Sequence, residues 1–407
     1  MVRTGPVSTE APAPRIQDAP GNAPETPPLA QRILLVTDAW EPQVNGVVRT
    51  LANTMKELKA IGCEVEVISP ADYPKTFPLP TYSEIKLVMG AREDVEDRFL
   101  AFAPDAVHIA TEGPLGWDAR GVCLKHKFPF TTSYHTQFPE YVTARFPWVP
   151  LWAGYRYMHA FHDKSGRVMV ATPTMQEQLR LQGFRNTAIW SRGVDVEHFH
   201  PSKRGIDGGV YPDLPRPIFA YVGRVAVEKN IEAFLKLDLP GCKVVVGDGP
   251  AREELEAKYT NARFVGSKFG EDLARHFADA DVFVFPSFTD TFGLVILEAA
   301  ACGTPVAGYI APGPKDILPG TGAGIVDKDL RKACLEALTL SREDARALAE
   351  KYSWRACAEE FRKNLEPLPK EGKRRFWHKL RDLRARAKER RRLKREAKQA
   401  AKQDAQP

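Results

Sequence analysis

The sequence lacks the patterns that mark several large classes of protein. No apolar run approaches the roughly 18 residues that a membrane-spanning helix needs. Residues 1–29 are rich in Pro and Ala and contain no apolar segment, so we expect a disordered tail rather than a secretory signal. The six cysteines are scattered and form no CxxC pair, which favours reduced thiols in a cytoplasmic protein over disulfides or a zinc site.

Acidic residues are scarce at one end of the chain. The net charge is +6, but residues 370–407 contain 16 Lys and Arg against 5 Asp and Glu, so this tail carries +11 and the remainder −5. Within 374–388, apolar residues recur at helical spacing: Phe376, Leu380, Leu383 and Ala387, with Trp377 beside them. This pattern predicts a basic amphipathic helix.

The basic tail has three interpretations. We favour an anionic membrane surface bound through 374–398, because each basic residue near such a surface contributes roughly 1 kcal/mol. Nucleic-acid binding is the rival, although we do not expect a nucleic-acid partner. A solvated helical tail without a partner is the third interpretation.

Apolar strand-like runs alternate with helical stretches in two series, and neither contains a GxGxxG motif. The first series lies in residues 30–205 and the second in 216–351, separated by a stretch rich in Gly, Pro and Asp. Parallel strands joined by crossover helices predict an α/β fold of two doubly wound sheets. A further helix is expected within 353–366.

The stretch of residues 281–308, DVFVFPSFTDTFGLVILEAAACGTPVAG, reads as strand, polar loop, helix and strand. A helix start offers free N–H groups to a phosphate. Asp290 lies just before the helix, and Glu298 lies about two turns further on. These carboxylates could bind the hydroxyls of a sugar nucleotide. The alternative is an ordinary βαβ unit with a capping Asp and a solvated Glu.

Cations follow the first strand of the second series. Arg224 and Lys229 lie five residues apart in a loop at the carboxyl end of that strand. In a doubly wound sheet, this loop and the Asp290 loop share one crevice, which favours a diphosphate site over a solvated pair. In the first series, Gly46 would allow a close backbone approach to a phosphate or an acceptor, or simply form a turn with Asn45.

His135 follows a strand where open α/β sheets bind ligands, although a hydrogen-bonded loop histidine is the simpler interpretation. Residues 142–162 then carry a cluster of aromatic side chains, which could meet lipid or an apolar acceptor, or belong to the core. His159 and His162 have the spacing of a metal pair, but no carboxylate at standard spacing supports a metal site.

Together these residues resemble the motifs of retaining glycosyltransferases of family 4, which have the GT-B fold. The resemblance covers roughly 31–366. Its most specific motif is the acidic pair E-x7-E, here DTFGLVILE with Asp290 replacing the first Glu. The other matching motifs are Gly223-Arg224 with Lys229-Asn230, GDGP at 247–250, SYHT at 133–136 and RGVD-x-x-x-F at 192–199.

The resemblance implies two Rossmann-like domains that face each other across a cleft. The C-terminal domain would bind the nucleotide sugar, a UDP- or GDP-sugar, and the N-terminal domain would carry most of the acceptor site. The helix at 353–366 would cross back onto the first domain. The anomeric configuration would be retained, and no metal or other cofactor is required.

The resemblance also implies roles for individual residues. Arg224 and Lys229 would hold the diphosphate and stabilise the leaving group. Glu298 would bind the ribose hydroxyls, while Gly46 would lie near the phosphates or the acceptor. His135 would lie at the reactive face of the sugar. The transferred sugar and its phosphates would be held by Asp290 and the backbone of Phe292, Gly293 and Leu294.

Within the family, the SYHT and TDTFGL motifs resemble the branch of mannosyl-, glucosyl- and sulfoquinovosyltransferases that act on lipids. We therefore expect a hexosyltransferase with a lipid acceptor of the diacylglycerol or phosphatidylinositol type, peripheral on the cytoplasmic membrane face. One alternative is a family 4 enzyme with a polysaccharide or soluble acceptor. The other is a non-catalytic protein that binds nucleotide sugars or nucleic acid.

Overall fold

The structure, a computed structural model, describes residues 29–43, 45–79, 82–146, 148–369, 372–373, 375–383, 385–386 and 389. The disorder expected for residues 1–29 therefore falls almost wholly outside the described residues, as does most of the basic tail.

The first half of the chain builds one parallel sheet and a small hairpin. Its strands are β1 (Arg32–Val36), β2 (Glu64–Ile68), β3 (Phe77–Leu79), β4 (Tyr82–Leu87), β5 (Ala106–Ile109), β6 (Phe130–Ser133), β7 (Arg167–Val170) and β8 (Thr187–Ile189). Its helices are α1 (Gly46–Ala60), α2 (Arg92–Phe102), α3 (Pro114–His126), α4 (Phe138–Arg145), α5 (Leu151–His162) and α6 (Pro173–Leu181). The sheet order is β2-β1-β5-β6-β7-β8, and β3 and β4 pair antiparallel apart from it.

The second half repeats this architecture. Its strands are β9 (Ile218–Val222), β10 (Cys242–Val246), β11 (Ala262–Gly266), β12 (Val282–Phe285), β13 (Val306–Gly308) and β14 (Gly324–Val326), in the order β11-β10-β9-β12-β13-β14. The helices are α7 (Ile231–Leu235), α8 (Arg252–Lys258), α9 (Gly270–Asp279), α10 (Leu294–Ala301), α11 (Pro314–Ile317), α12 (Leu330–Ala337), α13 (Arg342–Ala349) and α14 (Trp354–Asn364). Both sheets are parallel, as the alternating pattern predicts.

Each sheet is covered on both faces, which explains why its central strands are buried throughout. All residues of β5, β9 and β12 are buried. Apolar clusters lie on opposite faces of each sheet, and α14 returns from the second half to pack against α1. There Phe361 is fully buried between His108 and Trp190.

The chain passes between the halves at two points that touch each other. The N–H of Val194 donates to the carbonyl of Tyr352 at 3.0 Å. A Cβ placed on Gly193 would lie 2.4 Å from the backbone nitrogen of Trp354, so only glycine fits this crossing.

The described part of the basic tail forms the amphipathic helix expected above, but its apolar side chains do not all face outward. Residues 375–383 are helical, but Trp377 and Leu380 are buried in the core of the first half, where Trp377 packs against Phe99 and Phe128. Lys373 pairs with Asp105, whose carboxylate also accepts from the N–H groups that begin β1. Trp377 and Leu380 are therefore used for folding, while Leu383 and the charged side chains of the described helix stay exposed.

The helical region between β14 and α14 is divided in two. Ser341 accepts hydrogen bonds from the N–H groups of Glu343 and Asp344, and this N-cap starts α13 separately from α12.

Candidate active site

The stretch at 281–308 folds as β12, a loop, α10 and β13. Gly293 has a φ of 85°, and a Cβ there would lie 2.9 Å from both the Phe285 ring and Ile296. Only glycine therefore makes the tight turn into α10. The turn presents the N–H groups of the first turn of α10 at the carboxyl edge of the sheet, where an anion would be stabilised.

Asp290 and Lys229 form an ion pair at this turn. Their Oδ1 and Nζ atoms lie 2.6 Å apart, and each side chain is 21% exposed. Burial alone would lower the pKa of Lys229, but the neighbouring Asp290 carboxylate raises it above its usual value, so the ammonium stays charged. The two loops are joined further by Asn230, which donates to the Pro286 carbonyl at 3.0 Å.

Arg224 lies at the carboxyl end of β9, half-buried, on the same edge of the sheet as Lys229. Its carbonyl accepts from the Tyr221 hydroxyl at 2.8 Å. The neighbouring loop of the GDGP motif packs backbone to backbone against it, because a Cβ on Gly247 would lie 1.8 Å from the Gly223 carbonyl oxygen. The loops after β9, β10 and β12 thus form one rim that carries Arg224, Lys229 and Asp290.

His135 comes to this rim from the first half of the chain. The Thr291 hydroxyl donates to the His135 carbonyl at 2.8 Å, which joins the two loops directly. The ring stands edge-on to Trp190, with Nδ1 at 3.4 Å from Nη2 of Arg192. Burial and the Arg192 charge hold the pKa of His135 well below its usual value, so the imidazole is neutral at pH 7. Its Nε2 is shielded and has no partner within the described residues.

Glu298 lies behind the turn and is 3% exposed. Its Oε1 is 2.5 Å from Nη2 of Arg49 on α1, and its Oε2 has no partner in the part of the chain that the structure describes. Burial raises the pKa of Glu298, and the Arg49 guanidinium opposes that shift. Gly46 begins α1, and a Cβ there would touch Leu294 at 3.7 Å, so the starts of α1 and α10 face each other.

The structure therefore brings His135, Gly46 and the residues named for the nucleotide-sugar site to the facing edges of the two halves. The sequence did not predict the contacts that join the two halves here. Arg49 pairs with Glu298, and the Thr291 hydroxyl donates to the His135 carbonyl. The N–H and hydroxyl of Thr174 both donate to Asp316. No local signal marks these residues, since each is an ordinary helix or loop position until the facing half is in place.

The histidine pair does not form a metal site. His162 bonds to Thr132 and Glu112, while His159 bonds to Asp163 and the carbonyl of Gln182. Among the described residues, no group of three or more His, Cys, Asp or Glu side chains is arranged to hold a metal ion.

The aromatic cluster is divided between core and surface. Phe161 is buried, whereas Trp148 is 77% and Trp152 67% exposed. With Phe138, Phe146, Leu151 and Tyr157, they form what we call the aromatic surface. It begins at α4, three residues after His135. None of the described helices is long and apolar enough to cross a bilayer.

Two parallel-sheet domains, with charged groups from both lining the cleft between them, define the class of GT-B glycosyltransferases. Solved structures share this architecture. Sucrose-phosphate synthase from Thermosynechococcus elongatus matches with a TM-score of 0.67 and 21% identity, covering 81% of this chain and 97% of that one. Anabaena HepE in complex with UDP-glucose matches with a TM-score of 0.59 and 16% identity, covering 81% and 97%.

Sequence comparisons identify the family. The model for Glycosyltransferase Family 4 matches residues 44–198, and that for Glycosyl transferases group 1 matches 216–351. A sulfoquinovosyl transferase of Arabidopsis thaliana is 30% identical, covering 85% of this chain and 75% of that protein. A GDP-mannose-dependent alpha-mannosyltransferase of Mycobacterium tuberculosis is 30% identical, covering 72% of this chain and 83% of that protein. An alpha-monoglucosyldiacylglycerol synthase of Streptococcus pneumoniae is 25% identical, covering 82% of this chain and 84% of that protein. The chain belongs to glycosyltransferase family 4.

Proposed function

We propose that the protein transfers a hexose from a UDP- or GDP-sugar to a membrane lipid acceptor, with retention of the anomeric configuration and without a metal ion. Binding of the nucleotide-sugar donor is assigned to the rim of charged residues at the start of α10. Arg224 and Lys229 would bind the diphosphate and stabilise the charge that develops on the leaving group. Asp290 and the backbone of Phe292–Leu294 would hold the sugar, and Glu298 would accept from the ribose hydroxyls.

The facing domain would supply the acceptor half. His135 is neutral, so its unpartnered Nε2 can exchange a hydrogen bond with a sugar or acceptor hydroxyl without adding charge. Gly46 would lie near the phosphates or the acceptor, because the start of α1 faces the start of α10. Relatives named as a sulfoquinovosyl transferase and a monoglucosyldiacylglycerol synthase support a hexosyl donor and a lipid acceptor.

The aromatic surface is the observation that carries the lipid assignment. Trp and Tyr favour the bilayer interface, where the ring lies among acyl chains and the polar edge meets water. Clustered exposed aromatics in water mark a contact surface. Because this surface begins beside His135, docking it on a membrane would place the cleft at the lipid headgroups. The cytoplasmic leaflet, which is anionic, would also attract the basic side chains of 374–398.

The reaction itself is tested by incubating the protein with UDP- and GDP-sugars and lipid extracts, and identifying products by mass spectrometry. We expect one hexosyl lipid, with the donor's anomeric configuration by NMR, and an unchanged rate in EDTA. Arg224→Ala and Glu298→Ala should each lower turnover by about 100-fold. A product formed only on a soluble or polysaccharide acceptor would contradict the lipid assignment, and equal turnover in all three proteins would contradict the donor site.

Membrane docking is tested with a Trp148→Ser/Trp152→Ser variant and anionic vesicles. Losing two interfacial indoles should weaken vesicle binding by about 100-fold or more, because each aromatic ring contributes roughly 1.5–3 kcal/mol when buried. Hydrolysis of the donor in the absence of lipid should not change. Leu181→Ser is the matched control, since Leu181 is 71% exposed on α6 and is not part of the aromatic surface. Wild-type vesicle binding by the double variant would show that the aromatic surface is not the membrane contact.

A further inference from the structure

Arg49 reaches across the cleft to the residue proposed to bind the donor ribose. It lies in the first turn of α1, three residues after Gly46, and its guanidinium pairs with Glu298 on α10 at 2.5 Å. The Arg49 side chain is 39% exposed, whereas Glu298 is almost fully buried. The ion pair therefore joins an accessible cation of the acceptor domain to a shielded carboxylate of the donor domain.

Glu298 keeps one oxygen for another partner. Arg49 contacts Oε1, while Oε2 is shielded from solvent and has no hydrogen-bond partner within the described residues. A buried acceptor without a donor costs roughly 1–3 kcal/mol, so the site favours a ligand that brings a hydroxyl to Oε2. A ribose diol carries such hydroxyls.

We propose that Arg49 is a positioning residue for the nucleotide: its guanidinium holds Oε1 of Glu298, so that the unpartnered Oε2 accepts a hydrogen bond from the ribose. The proposal rests on the donor site proposed above and adds to it a residue of the opposite domain. Donor affinity then depends on closure of the two domains, because the acceptor domain supplies the cation that the donor domain's carboxylate needs.

The charges around Glu298 explain why Arg49 matters. Burial is the main influence and raises the pKa of Glu298, while Arg49 and, more weakly, His198 lower it. Cys302 at the end of α10 also faces the carboxyl group, and Arg342 and Arg346 of α13 face that thiol. Without Arg49 the pKa of Glu298 rises, and the carboxyl group takes up a proton more readily as the pH falls. A neutral carboxyl accepts a hydrogen bond less strongly than a carboxylate.

The test measures binding of UDP and GDP by calorimetry between pH 6 and 8, for wild type, Arg49→Gln and Arg49→Lys. With Arg49→Gln, we expect binding to weaken by about tenfold at pH 7, because Oε2 loses the charge that strengthens its hydrogen bond. Binding should weaken further as the pH falls, because burial without the opposing Arg49 cation raises the pKa of Glu298 and favours its protonated form. Wild type and Arg49→Lys should share a shallower pH dependence, which includes titration of the nucleotide phosphate. Melting temperatures verify that each variant folds.

Two comparisons separate this role from others. A 2′,3′-dideoxynucleoside diphosphate should bind wild type and Arg49→Gln equally, since it has no ribose hydroxyl to donate to Glu298. If Arg49→Gln weakened binding of the ribonucleotide and of the dideoxynucleotide equally at every pH, Arg49 would act on the phosphates, and the proposal would be overturned. Wild-type affinity of Arg49→Gln for UDP and GDP would overturn it as well. If wild type binds neither UDP nor GDP, the donor site fails, and the role of Arg49 fails with it.

Discussion

Replacing Lys229 with Ala is expected to lower kcat by about 100- to 1,000-fold, the effect of removing one preorganised donor from a site where negative charge develops. The Lys229 ammonium is held by the Asp290 carboxylate 2.6 Å away and remains charged because of it. It needs no reorganisation when the nucleotide diphosphate leaves. The variant also leaves Asp290 without its cation, and that uncompensated carboxylate would repel the donor phosphates.

The measurement is steady-state turnover with the preferred nucleotide sugar, together with the melting temperature. Lys332→Ala is the matched control, because Lys332 also pairs with an aspartate, Asp327, but lies exposed at the start of α12. It should keep wild-type turnover, since exposed pairs contribute little. A Lys229→Ala protein with full turnover would remove Lys229 from the chemistry, and Arg224 alone would have to neutralise the diphosphate.

Replacing Trp377 with Ala is expected to destabilise the first domain by about 3 kcal/mol, the lower end of the range for a buried Trp or Phe. The indole is 6% exposed and packs against Phe99 and Phe128 with ring centroids at 5.1 and 5.8 Å. Alanine is the better helix former, so the loss would come from packing rather than from the helix itself.

Calorimetric unfolding measures this effect, with Leu383→Ala as the control on the same helix. Leu383 is 50% exposed, so its replacement should change stability little. If Trp377 served a membrane, as its sequence pattern first indicates, Trp377→Ala would reduce vesicle binding and leave the melting temperature unchanged. Truncation after residue 389, which keeps Trp377, then tests the remaining basic residues separately.

The fold and the rim of the cleft follow from local patterns. The apolar pattern of the sequence predicts the buried strands and the crossover helices. Asp290 and Lys229 each lie in the loop that follows such a strand, where the sheet topology brings loops together. Their meeting at 2.6 Å is a consequence of β9 and β12 being neighbours in the sheet.

Contacts between distant segments did not follow from local patterns. The periodicity of residues 374–388 shows an apolar face but not what covers it, and the structure covers Trp377 with the protein's own core. Likewise, a run of aromatic residues does not tell that Phe161 is buried and Trp148 exposed. Arg49 carries no mark in the sequence, because its partner lies 249 positions away on the facing domain.

The two chain crossings, joined by the hydrogen bond from Val194 to Tyr352, have a mechanical consequence. Two adjacent, bonded connections would restrict sliding of one half against the other, and rotation about the crossing would be the easier relative movement. The contacts between the two halves, among them Arg49 with Glu298 and Thr291 with His135, would have to break when the halves separate. A bulkier residue at Gly193 would clash with the Trp354 backbone at this crossing. It would thereby change how the two halves move relative to each other without contacting a substrate.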